Sequence, residues 1–177
     1  MADWLKAINP TSTATTRPEA LAAARASSLG ILVGLAFGVV GLIRTLGLGP
    51  EAVEAAMMAS SQGDPAVAGM AGIVASALVY ISAAVLVIQA IFGLVQWFKP
   101  NRFIPILFTV LVAYGLVSAV SSLAMASQMD LPAGVSAPLW FTTLGFIALL
   151  VELALHIAGI RGASKLAQLD KAEFPSS

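Results

Sequence analysis

Glu152 and His156 stand four residues apart inside a long apolar stretch of the chain. On a helix this spacing places a carboxyl and an imidazole on one face, one turn apart. Such a pair, withdrawn from water, takes up, holds and relays a proton or responds to a cation. Counted back from Arg161, Glu152 lies about 13 Å and His156 about 7 Å inside the end of the apolar run. Gln89, counted back from Lys99, is about 15 Å deep and nearly level with Glu152. With Tyr114 from a third apolar run, these residues form the candidate polar cluster Glu152, His156, Gln89 and Tyr114. The cluster has two readings, a proton- or cation-responsive site, or polar glue between helices.

Other chemistry is scarce. The chain has no Cys and one His, which removes thiolate nucleophiles, Cys-ligated metals and any imidazole cluster. There is no Gly-x-Ser-x-Gly elbow, no phosphate loop ending in Lys and no His-Glu-x-x-His. No catalytic residue, metal or cofactor is therefore expected. Nine Lys+Arg balance nine Asp+Glu, leaving no basic excess for nucleic acid.

The elements that must carry the cluster follow from composition. Of 177 residues, 59% are apolar and only 10% charged, against roughly 25% charged in soluble domains. Mean hydropathy is +0.93. Crossing a bilayer as a helix takes about 20 apolar residues. Four runs qualify, at about 26–43, 73–98, 103–126 and 139–160. They are continuous rather than alternating, so helices and not barrel strands are expected. The predicted fold is all-α, four transmembrane helices in a compact bundle over 26–160, with an N-terminal segment 1–25 and a tail 161–177.

Before Ser28 there is no early apolar run with a small-residue cleavage site, so the N-terminus is expected to be retained. Trp4, Leu5 and Ile8 are expected on the bilayer surface or in a frayed tail. Thr16-Arg17-Pro18-Glu19 carries the signature of a helix start. The loop 46–65 contains a short helix begun at Pro50, expected to lie at the interface, and Gln128 to Ala137 is a short connection. With the N-terminus inside, Lys6, Arg17, Arg25, Lys99, Arg102, Arg161, Lys165 and Lys171 all fall on the cytoplasmic side, eight of the nine cations. Only Arg44 is outside, so both termini are expected in the cytoplasm.

Ala22, Ala26, Gly30, Gly34 and Gly38 recur every fourth residue in the first run. Small-residue ridges let helices approach closely, which is what holds them together where lipid supplies no hydrophobic drive. The ridge Ala26, Gly30, Gly34, Gly38 is thus expected to meet a tightly packed neighbour, in the same chain or in a second copy.

The layout resembles that of small bacterial inner-membrane proteins of uncharacterised function. The likeness lies in four helices, a longer first outer loop, and a basic turn, Lys99 to Arg102, followed by Phe103 and Pro105. It implies a bacterial inner membrane as the location and carries over no catalytic or binding residue. The expectation is a non-catalytic accessory or scaffold subunit, with the lipid bilayer and a homo-oligomer or larger membrane complex as partners. The alternative is a small oligomeric transporter or proton-linked channel using Glu152 and His156.

Overall fold

The computed structural model describes residues 3–60, 65–126 and 137–173 of the 177. Among these residues the secondary structure consists of six helices: α1 Trp4–Ile8, α2 Arg17–Leu48, α3 Pro50–Ser60, α4 Pro65–Phe98, α5 Phe103–Ala126 and α6 Leu139–Glu173. Four of them, α2, α4, α5 and α6, are long and apolar enough to cross a membrane. The expected connection Gln128 to Ala137 lies outside the described residues except for Ala137.

The long helices overrun the apolar runs that announce them. α2 has 32 residues and α6 has 35, or about 48 and 52 Å at 1.5 Å per residue. The overrun is caused by what flanks the apolar cores. Thr16 and Glu19 set the start of α2: Glu19 reaches back to accept from the Thr16 and Thr15 backbone amides at 3.3 and 2.8 Å, and Pro18 tolerates the first turn. At the other end, 161–173 is rich in Ala, Lys, Gln and Leu, all good helix formers, so the expected tail continues as helix. α3 begins at Pro50, directly after Gly49, whose φ of +78° is a conformation glycine adopts without strain.

Helix order in space is α4, α2, α6, α5. α2 is central and packs along both α4 and α6, while α5 packs on α6. α4 and α5 meet near the turn that joins them, where Phe92 and Phe108 lie edge to face at 6.0 Å and Ile31, Ile104 and Phe108 share a core cluster. The arrangement is therefore less compact than the expected bundle. α4 leaves Ile81, Val87, Ile88 and Ile91 exposed, and α5 leaves Val110, Val117 and Val120 exposed.

The turn itself is clipped to α2. Gln96, fully buried, donates to the Ala24 carbonyl at 3.1 Å and the Asn101 carbonyl at 3.2 Å, and accepts from the Asn101 amide at 3.2 Å. Arg25 adds a bond to the Trp97 carbonyl at 3.0 Å and sits 5.2 Å over the Trp97 ring.

α1 and the linker fold back onto this same end of the molecule. Trp4 stacks on Trp97 at 6.2 Å between ring centroids, and Ala7 is buried against Ala22 and Ala23. Ile8 packs beside Ala26, Leu155 and Ala158. A frayed tail does not describe this segment, because α1 has burial available against small residues of α2 and α6, while Trp4 and Leu5 remain exposed. Lys6 pairs with Glu19 at 2.8 Å, and Arg161 donates to the Ser12 carbonyl.

Glu19 precedes the continuously apolar stretch beginning at Leu29. The Lys6 ammonium, then the Thr15 amide and hydroxyl, hold its pKa at about 2, below the ordinary 4.5. A carboxylate with a lowered folded-state value stabilises the fold above its unfolded value and loses that contribution as pH falls through the folded one. Acidification from pH 4.5 toward 2 is therefore expected to release α1. In a Trp140→Phe background, where emission comes from Trp4 and Trp97, fluorescence should shift in that window. Glu19→Gln should show the released emission already at neutral pH.

Candidate functional site

The site grows from the contact between α2 and α6. α2 presents Ser27, Gly30 and Gly34, spaced i, i+3 and i+7, and so on one helical face. α6 presents Leu155, His156, Gly159 and Gly162 together with Glu152. A Cβ on Gly30 would sit 3.1 Å from His156 Cε1, and one on Gly159 would sit 2.5 Å from Ser27 Cβ. At Gly162 an added Cβ would collide with the Ala24 amide nitrogen and the Ala23 carbonyl carbon. Glycine at 159 and 162 lets the two backbones approach at a distance that a larger residue would force apart, while at Gly30 the His156 ring would have to give by a few tenths of an ångström.

The polar residues sit within this close contact. His156 is fully buried; its Nδ1 is 2.8 Å from Ser27 Oγ, and its Nε2 has no hydrogen-bond partner. The Phe108 ring lies 5.5 Å from the imidazole. Glu152 is 7% exposed, and its carboxyl is laid against Gly34, where an added Cβ would stand 2.6 Å from Oε2. Glu152 and His156 share a face of α6, but the imidazole is hydrogen-bonded to Ser27 of α2. The carboxyl forms no hydrogen bond or ion pair among the described residues.

Gln89 is placed differently. It lines a cleft of about 510 Å³ with Gly34, Gly38, Arg44, Thr45 and Ser82 among its walls. Its Oε1 is buried without a partner. The cleft reaches Gly34, the residue on which the Glu152 carboxyl rests, while Glu152 itself is not in its lining. Arg44 lies 5.7 Å over the Phe141 ring at the other end of this cleft.

Tyr114 does not join the cluster. Its side chain is 73% exposed. The buried face of α5 is marked by Ile104, Phe108 and Val112, and Tyr114 is about 200° round the helix from Val112. Depth along a helix can be counted from sequence, whereas the direction in which a side chain points depends on which face finds a neighbour. Phe108 is the α5 residue that reaches His156.

The small-residue ridge also divides. Ala22 packs against α1, Ala26, Gly30 and Gly34 against α6, and Gly38 against α4, where an added Cβ would be 2.6 Å from Leu86 Cδ2. Each four-residue step advances 400°, so Gly38 is rotated about 120° from Ala26. One ridge in sequence thus serves more than one neighbour in space, all within the chain.

Two contributors lie outside the expected polar cluster and ridge. Ser27 is one residue off the every-fourth spacing, although its i, i+3, i+7 relation to Gly30 and Gly34 is visible in the sequence. Gln96 stands seven residues after Gln89 and so on the same face of α4, but its role in clipping the turn to α2 depends on a tertiary contact. Comparison with protein-family models, curated proteins and solved structures finds no match.

Proposed function

We propose that this chain is a multi-pass protein of a bacterial inner membrane, with both termini in the cytoplasm, and that it acts without catalysis as an accessory or scaffold subunit. The observation that carries this reading is how the deep polar side chains are used. Ser27 and His156 bond to each other across the α2–α6 contact, and Glu152 is packed against Gly34 within it. Polar groups used this way fix two helices together, in register, in a medium that offers no water.

Two further features support it. Exposed Val and Ile along α4 and α5 make faces suited to lipid or to the helices of a membrane partner. Eight of the nine cations belong to segments at the end where α1, the α4–α5 turn and the end of α6 gather, matching the charge bias of cytoplasmic segments. A C-terminal reporter that works only in the periplasm should therefore stay silent.

A second reading, a small oligomeric transporter or proton-linked channel, is favoured by one observation. The cleft at Gln89 carries an unpartnered buried amide oxygen and ends at the glycine beneath Glu152. Glu152→Gln separates the two. Removing the carboxyl's capacity for charge relieves a desolvation cost, so the variant should fold, melt no lower than the parent, and retain whatever large complex co-purifies after detergent-free extraction. If it folds equally well and abolishes a pH-linked flux in proteoliposomes, the scaffold reading fails.

A further inference from the structure

We propose that the cleft between the folded-back N-terminal segment and the end of α6 binds a phosphate-bearing anionic headgroup between Lys165 and Arg161. The cleft holds about 460 Å³ and is walled by α1, the 9–15 linker, Glu19 and Ala23 of α2, and 158–168 of α6. Five ionisable side chains line it: Asp3, Lys6, Glu19, Arg161 and Lys165.

Their pairings decide the charge that a ligand would meet. Lys6 and Glu19 neutralise each other at 2.8 Å. Asp3 accepts from the Leu5 and Lys6 backbone amides at 3.0 and 3.3 Å, neutral donors that leave its negative charge in place at the start of α1, so the lining as a whole carries one net positive charge, concentrated on the α6 side. Arg161 donates to the Ser12 carbonyl, a neutral acceptor that leaves its positive charge uncompensated. Lys165 is half-buried and forms no hydrogen bond or ion pair among the described residues. Arg161 and Lys165 are one turn apart on α6 and so face the same side. Around them the cleft offers the Thr13 and Ser164 hydroxyls as donors, whereas those of Ser12 and Thr15 already donate to the Lys6 and Asn9 carbonyls and to Glu19. A fork-shaped guanidinium, an unpaired ammonium and neutral donors suit the tetrahedral oxygens of a phosphate.

Position selects the class of ligand. The apolar run of α6 ends at Ile160, and both Ile160 and Arg161 line the cleft. The stacked Trp4–Trp97 pair stands at the same end of the molecule, as interfacial aromatics do. On the membrane-spanning reading given above, on which this inference rests, the cleft opens at the height of lipid headgroups. A phosphate there belongs to an anionic lipid or arrives free from solution.

The test uses the full-length protein in detergent, with thermal stability read against added dioctanoyl phosphatidylglycerol, dioctanoyl phosphatidylcholine or inorganic phosphate. Stabilisation by phosphatidylglycerol but not by phosphatidylcholine identifies a lipid headgroup, and stabilisation by inorganic phosphate identifies a soluble phosphate. In either case Lys165→Gln should weaken the apparent affinity about fivefold, the usual worth of one cation at a charged surface. Lys171→Gln, outside the cleft, should leave it unchanged. The proposal is overturned if neither ligand stabilises the protein, or if Lys165→Gln responds like the parent. Retention of the chain in carbonate-washed membranes checks the spanning reading separately, so loss of that reading is distinguishable from failure of the site.

Discussion

Gly162→Ala is expected to lower the thermal midpoint of the purified protein more than any other single methyl added to a described glycine. The added carbon would overlap the Ala24 amide nitrogen and the Ala23 carbonyl carbon, and neither can rotate aside. α2 and α6 would have to separate along their contact, which loosens Ser27 against Gly159 and Gly30 against His156 as well. Overpacking of a close contact costs about 1–3 kcal/mol. Gly41 provides the control, because a Cβ there meets nothing within 4 Å. Gly41→Ala should match the parent or exceed it by up to about 1 kcal/mol, the difference in helix propensity. If both variants melt alike, the two helices are further apart than this contact requires.

Ser27→Ala is the second large effect. It strips the 2.8 Å partner from His156 Nδ1, and Nε2 has none to compensate. A fully buried imidazole would then have both nitrogens unsatisfied, at a cost of about 1–2 kcal/mol. Replacing both partners removes the unpaired group, so Ser27→Ala with His156→Leu should recover much of the loss. That recovery, measured as a double-mutant cycle of thermal midpoints, identifies the pair as a joint between helices. A cycle that shows simple additivity would instead mean that the two side chains act independently.

The four long helices were legible in the sequence because a continuous apolar run of about 20 residues is rarely anything but a long apolar helix. The start of α3 at Pro50 and the Thr16–Glu19 start of α2 were legible as local chemistry. The full lengths of α2 and α6 were not, since their polar ends extend beyond the hydropathy signal and are held by Ala-rich helix propensity and by α1. Within the candidate site, depth could be counted but facing could not. Glu152 and His156 fall together on the inner face as their four-residue spacing allows, while Tyr114, at a suitable depth, points away from the buried face of α5. The folded-back N-terminal segment was also beyond reach, because Trp4 finds Trp97 across more than ninety residues of chain.

The contacts of Gly38 with Leu86 and of Gly93 with Ile31 that join α2 to α4 are apolar, and an apolar contact tolerates sliding. Gln96 supplies what they lack. Its bond to the Ala24 carbonyl ties one height on α2 to one height on the α4–α5 hairpin. Moving α4 by a single residue shifts that amide by about 1.5 Å along the axis and breaks the bond. The amide therefore works as a detent: a hairpin docked one notch too high or too low keeps its Gln96–Asn101 bonds but leaves the Gln96 N–H that faces α2 without an acceptor until it slips into place.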